Sequence, residues 1–252
     1  MTVVVGWGLA VALVLLVVLA MAASHVGRLG LARTQGIAAV RAIVQLAAIS
    51  LVITAAVQTI WGGLAINLVM FAVAVFTTTG RVDARRAWPW TALAMLAGIV
   101  PVMLVIFLTG AAPLNGLTLV ALGGIITGNM MNAHTLAGRR CFAELRDNIP
   151  VYEAALSLGF ERRLAVSTML QPVLGEALLP NIDQTRTVGL VTLPGAFIGV
   201  LLGGGSPIQA GASQLLVLFG IMAGQVITVV AARQFMQRGK LLPDDLRESL
   251  HA

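Results

Sequence analysis

The stretch Pro89–Thr109, PWTALAMLAGIVPVMLVIFLT, runs for twenty-one residues without a charged side chain. A helix crosses the hydrocarbon core of a bilayer in about 20 predominantly apolar residues, so this run is long enough to span. The same measure along the chain finds six more runs, at roughly 3–24, 36–57, 61–80, 117–136, 187–203 and 212–232. The expected fold is therefore all-α: a polytopic membrane helix bundle of about seven transmembrane helices, in one transmembrane domain over 1–252.

Composition agrees with this reading. Hydrophobic residues make up 58% of the chain and charged residues 10%, whereas about 25% of a soluble domain is charged. Aromatics are only 5%, and there are 27 glycines, a residue more frequent in membrane helices than in soluble ones. A net charge of +6 could suit nucleic acid. The arginines stand instead in short clusters between apolar runs, as the flanks of membrane helices do, so the expected surroundings are lipid and no nucleic acid. The single cysteine, Cys141, excludes an internal disulfide. Residues 1–24 contain no Lys or Arg and so lack the basic region of a signal peptide. They are expected to stay as the first span.

Charge placement gives an expected orientation. Arg28 and Arg33 follow the first run, Arg81, Asp83, Arg85 and Arg86 the third, segment 138–186 the fifth, and a tail from Arg233 the seventh. The connections near 58–60, 110–116 and 204–211 carry no charge. Basic residues stay on the cytoplasmic side. The N-terminus is then outside and the C-terminus inside, with 233–252 as a cytoplasmic tail. The protein is expected as a multi-pass component of the cell (plasma or inner) membrane. Segment 164–186 is apolar enough to dip into the bilayer, but Pro172, Glu176 and Pro180 argue against a clean span. It reads as a cytoplasmic or interfacial helix.

Segment 138–186 holds six basic and six acidic residues. Within it lies Tyr152–Pro172, YEAALSLGFERRLAVSTMLQP. Asp147 or Asn148 can cap a short helix with Pro150 in its first turn, and Gly159 can end it in the left-handed conformation. Phe160–Met169 reads as a second helix. The result is a helix-turn-helix knob, with Tyr152, Leu156 and Phe160 on one side at i, i+4 spacing.

Glu153-Ala154-Ala155, three residues and then Gly159 resembles the EAA loop of ABC-transporter permease subunits. Met169, Leu170, Gln171 and Pro172 stand where that loop has an apolar-x-apolar-Pro ending, with Gln171 departing from it. Three longer stretches, ARTQGIAAVRAIVQL (32–46), GGIITGNMMNA (123–133) and ALLPNIDQTRTVGLVTLPGAFIGVLLGGGSPIQAGASQLLV (177–217), resemble the small iron-export permease family. That family includes bacterial FetB-type subunits and plant aluminium-tolerance half-transporters. The resemblance covers nearly the whole chain. It implies a permease that forms a homodimer, pairs with a separate ATP-binding subunit, and exports a metal of the iron type or a related solute. It also implies that Tyr152, Glu153, Ala154, Ala155, Leu156 and Gly159 form the element that couples to the ATPase.

The residues themselves contain no G-x-x-x-x-G-K-[ST]. The one lysine, Lys240, lies in RGKLL. This agrees with the separate ATP-binding subunit that the resemblance implies, with no cofactor and no catalytic residues expected in this chain. The alternative is a stand-alone secondary transporter or channel without an ATPase partner. It would need acidic coupling residues within the spans, and only Glu176 and Asp183 come near the bilayer.

Polar residues inside the runs mark an expected substrate path of Arg41, Gln45, Asn129, Asn132 and Pro194. Arg41 and Gln45 share a helix face. Two readings stand for Arg41: it lines a path, or its long side chain snorkels to the surface. Met130, Met131 and His134 offer thioether and imidazole for a transient metal contact, or serve only to pack helices. Pro194 interrupts the run 187–203, and a broken helix at membrane depth lines a cavity or packs on protein. Gly195, Gly199 and Gly203, and again Gly220 and Gly224, make small-residue ridges that let helices approach closely.

Overall fold

The computed structural model describes residues 6–250. Residues 3–5 of the first expected span and 251–252 of the expected tail lie outside the described residues. The chain divides into two compact units, Met1–Ala56 and Val57–Ala252.

The first unit is a hairpin of α1 (Trp7–Val26) and α2 (Ala32–Ala56). Arg28 and Gly30 take positive φ values of 50° and 68° to turn the chain. Gly36 lets α2 close on α1: a β-carbon there would lie 3.3 Å from Met21 Sδ. Both helices expose leucine, isoleucine and valine over most of their length within this unit.

The second unit contains α3 (Ile60–Arg81), α4 (Trp88–Leu108), α5 (Gly116–Asp147), α6 (Ile149–Ser157), α7 (Arg162–Leu174), α8 (Leu179–Thr187), α9 (Gly195–Leu202), α10 (Pro207–Gln237) and α11 (Asp244–Ser249). Single 3₁₀ turns, Arg85–Ala87 and Gly175–Ala177, lead into α4 and out of α7. Three of the long helices start at caps written into the uncharged connections. Thr59 Oγ1 accepts from the Gly62 amide at 3.0 Å, and Asn115 Oδ1 accepts from the Thr118 amide at 2.9 Å. Ser206 and Gln209 close a reciprocal capping box at the head of α10.

Among the described residues six helices are long and apolar enough to cross a membrane: α1, α2, α3, α4 with its leading turn, α5 and α10. They match six of the expected runs. The seventh, 187–203, is a broken element. After α8 ends at Thr187 the chain makes a turn closed by a Val188–Thr192 bridge, with Gly189 at φ 80°, and helix resumes only at Gly195. Pro194 is the N-cap of α9 and not a kink inside a rod. Proline lacks an amide hydrogen and drives the residue before it out of helical geometry. The eight residues of α9 reach about 12 Å at 1.5 Å per residue. The fifth run goes the other way: α5 continues through Arg139 and Arg140 to Asp147, 32 residues in all, about 48 Å at the same rise.

Two apolar cores hold the second unit together. One lies among the rods, where Met95, Ile126 and Met130 are buried with Val102 and Ile221. Here α10 packs on α4 and α5. A β-carbon at Gly98 would lie 2.2 Å from Thr228 Oγ1 and 2.4 Å from the Gly224 carbonyl oxygen, so α4 and α10 touch backbone to backbone. Asn67 on α3 donates to the Leu119 carbonyl of α5 at 2.8 Å, in space that Gly123 leaves free. The second core lies at the charged end and contains Phe142, Leu145, Tyr152, Val166, Leu170, Met236, Leu241, Leu246 and Leu250.

Candidate coupling platform and polar path

The charged end of the second unit is a platform built on the end of α5. Asn148 caps α6 in place but makes no side-chain capping bond; its amide donates to the Glu144 side chain at 2.8 Å. Pro150 occupies the first turn of α6. At the other end Gly159 stands at φ 86°. Its amide bonds the Leu156 carbonyl at 2.9 Å and the Phe160 amide bonds the Ala155 carbonyl at 3.1 Å. That pair of bonds is the Schellman ending, which places a left-handed residue after the helix. α7 then runs from Arg162, later than the expected Phe160, and carries on past Met169 through Pro172 to Leu174.

The platform has a buried side and an open side. Tyr152 is buried, and its hydroxyl donates to the Leu250 carbonyl at 3.1 Å. Ala155 and Leu156 are half-buried and pack on the same core. Glu153, Ala154 and Gly159 are exposed, together with Val151, Leu158 and Phe160. Of the coupling residues named from the sequence, three thus face outward and three hold the helix down. Phe160 does not join Tyr152 and Leu156 on the inner side, because the left-handed turn at Gly159 redirects the chain before it.

The segment after α10, expected as a cytoplasmic tail, packs into this platform. Leu241, Leu242, Leu246 and Leu250 are buried. Arg146 on α5 binds Asp245 on α11 through two bonds of 2.6 and 3.1 Å. The Arg146 hydrogen bond holds the Asp245 carboxyl below the usual carboxylate range. Arg86 pairs with Asp244 at 3.5 Å and Arg140 with Glu176 at 3.1 Å. These pairs are exposed and worth about 0–1 kcal/mol each, so the buried leucines carry the attachment.

The expected path residues lie on two units. In the first, α2 places Arg41 and Gln45 one turn apart on its exposed side. In the second, α5 carries Asn132 exposed and Asn129 half-buried, with half-buried Gly128 beside them. Gln225 of α10 donates to the Asn129 backbone carbonyl at 3.3 Å. Pro194 lines a separate cleft of about 300 Å³ between the broken element and α10, with Gly189, Phe197, Gly211 and Gln214 in its wall. The Gln214 side-chain oxygen is buried there without a partner. The candidates for a metal contact divide: Met130 and His134 are buried on one face of α5, and Met131 is only half-buried. Among the described residues neither His134 ring nitrogen has a hydrogen-bond partner, and the same holds for Thr91 Oγ1 and Thr228 Oγ1 on the neighbouring helices. Among the described residues no three His, Cys, Asp or Glu side chains come together. Gln214, Gln225 and Thr228 were missed from the sequence. Their signal was there, as uncharged polar side chains inside the last apolar run.

Long apolar rods, a broken element and a charged platform at one end define a polytopic helical membrane protein. The chain belongs to the family described as Uncharacterised protein family (UPF0014), whose pattern matches residues 7–240. It is 31% identical over 224 residues to the UPF0014 membrane protein STAR2 of Oryza sativa subsp. japonica, covering 87% of this chain and 78% of that one. It is 28% identical over 183 residues to the UPF0014 membrane protein slr1647 of Synechocystis sp., covering 71% of each. It is 28% identical over 227 residues to the probable iron export permease protein FetB of Escherichia coli K12, covering 86% of this chain and 85% of that one. No solved structure matches the chain.

Proposed function

We propose that the chain is the membrane permease subunit of an ABC transporter, exporting a metal of the iron type or a related solute with energy from a separate ATP-binding subunit. The observation that carries this reading is the platform: a short helix with Glu153, Ala154, Val151 and Leu158 exposed, pinned from beneath by Tyr152 and ended by a left-handed glycine. Such an element offers a rigid face to a docking cleft. The likeness to FetB supports the transport class and the metal. A homodimer is supported by Gly195 and Gly199 on α9, where no atom of the second unit's described residues lies within 4 Å of a β-carbon's position. Co-purification with a candidate ATP-binding subunit, followed by ATP-driven export from loaded vesicles, tests the reading. Export that proceeds without any ATPase would favour the stand-alone transporter.

The orientation belongs to this proposal. Reporter fusions after Gln58, Gly110 and Gly205 should read as outside and one at Leu241 as inside. A fusion at Leu241 that reads as outside sinks the assignment.

Asn129, Asn132 and the Pro194 cleft are the proposed path within the second unit. Asn132 supports it, since an exposed amide on a spanning helix is costly against lipid and calls for water or protein. Arg41 and Gln45 are proposed as path residues on chemistry alone. The Arg41 charge favours an anionic or chelated form of the cargo over a bare cation. Arg41→Gln should leave insertion intact and shift transport or selectivity by roughly fivefold or more, about 1 kcal/mol. Unchanged transport and selectivity would show that Arg41 only snorkels.

A further inference from the structure

A cleft of about 490 Å³ opens at the charged end where the start of α7 meets the end of α10, lined by Arg162, Arg163, Gln237, Arg238 and Lys240. Every charged group in its wall is positive. The acids of the neighbouring tail are committed elsewhere, Asp244 to Arg86 and Asp245 to Arg146. Arg163, Arg238 and Lys240 make no ion pair among the described residues. Gathering like charges in one concavity is unfavourable unless an anion neutralises them. Glu161, the N-cap of α7, makes no side-chain capping bond, and the first turn of that helix holds no acidic residue.

The depth of the cleft is fixed by an aromatic side chain. The Lys240 ammonium sits 4.2 Å from the centre of the Trp90 ring, and Trp90 packs on Phe235 at 5.2 Å between ring centres. Trp90 belongs to the first turn of α4, beside exposed Trp88. Tryptophans at the ends of spanning helices sit at headgroup level. The cleft therefore lies where lipid phosphates are, with guanidinium forks whose planar donor sets match phosphate oxygens.

We propose that this cleft binds a phosphate group carried by an anionic phospholipid of the adjacent leaflet. The phosphate sits between Arg163, Arg238 and Lys240, against the start of α7. The cleft is distinct from the path residues and from the exposed face of α6, so the proposal stands or falls apart from the transport reading.

The test uses the purified full chain in detergent. Bound lipid is counted by native mass spectrometry with phosphatidylglycerol or phosphatidylcholine of the same acyl chains. Phosphatidylglycerol should bind at least about tenfold tighter, and the triple variant Arg163→Gln, Arg238→Gln, Lys240→Gln should remove that preference. A charge-matched control, Arg33→Gln, Arg85→Gln, Arg247→Gln, should keep it to within about twofold. Lys240→Gln alone, a mild surface change, should weaken binding by roughly threefold if the triple variant does not fold. The proposal is overturned if the triple variant keeps the preference, or if the control loses as much. Inorganic phosphate that displaces the lipid completely at millimolar concentration would overturn the lipid source and leave a free-phosphate site.

Discussion

Replacing Gly159 by valine should remove association with the ATP-binding subunit and abolish transport, while the spanning helices still insert. The residue sits at φ 86° with no atom within 4 Å of where a β-carbon would stand, so the effect comes from the backbone and not from crowding. An L-residue held left-handed costs about 1–2 kcal/mol, and a β-branched one more. The Schellman bonds from Gly159 and Phe160 are the local structure exposed to that cost. Once they open, α6 extends or frays and the outward face of Glu153 and Ala154 is redirected. Gly159→Asn provides the matched arm, since asparagine enters the left-handed region more readily. It should retain at least half of wild-type co-purification, a loss that corresponds to a cost of only about 0.5 kcal/mol. If Gly159→Val assembles and transports like wild type, the platform is not the coupling element.

Gly98→Leu should be the most destabilising substitution among the rods. Its β-carbon alone would fall 2.2 Å from Thr228 Oγ1 and 2.4 Å from the Gly224 carbonyl oxygen. The second neighbour is backbone and moves only if α10 moves. Overpacking a well-packed core costs about 1–3 kcal/mol, and a whole-helix displacement puts this case at the upper end. A loss of about 3 kcal/mol corresponds to a Tm drop of roughly 6–12 °C for a chain of this size. Gly128 is the internal comparison, on a helix of the same bundle with nothing within 4 Å. Gly128→Ala should be neutral or raise Tm slightly, since alanine is favoured over glycine in a helix by about 1 kcal/mol. Thermal melting in detergent decides it: equal melting of Gly98→Leu and wild type would mean that α4 and α10 do not cross at that point.

The rods were legible because membrane spans are set by the length of an apolar run, which is a property of one contiguous stretch. The platform turn was legible for the same reason. Pro150, Gly159 and the residues between them act locally. Where the sequence reading departed from the structure, a single rule had hidden a second one. The break at Pro194 was legible in the run 187–203, but hydropathy masked the turn at Gly189 that leaves only Gly195–Leu202 helical. The end of α5 was hidden by its charges. Ala137, Cys141 and Leu145 nevertheless recur every four residues and are fully buried, a helical period that remained readable. The same spacing links Leu242, Leu246 and Leu250, whose burial turns an apparent tail into a wall of the platform. The polar residues of the proposed path were only partly visible. The asparagines of α5 stood out, but Gln214, Gln225 and Thr228 gain their meaning from which helix they face. The basic cleft lay wholly out of reach, because the start of α7 and the end of α10 meet only after folding.

The bond from Tyr152 to Leu250 also sets a clock on synthesis. Its two ends are 98 positions apart. At about 5–20 residues per second on the ribosome, the acceptor follows the donor by roughly 5–20 s. During that interval α6 and α7 have left the ribosome with Tyr152, Val166 and Leu170 still lacking the leucines that will cover them. α10 precedes those leucines in the chain and leaves the ribosome before them. The platform is thus among the last parts of the protein to mature, completed only after its last long helix has been made. Docking of the proposed ATP-binding subunit would thereby follow the synthesis of α10.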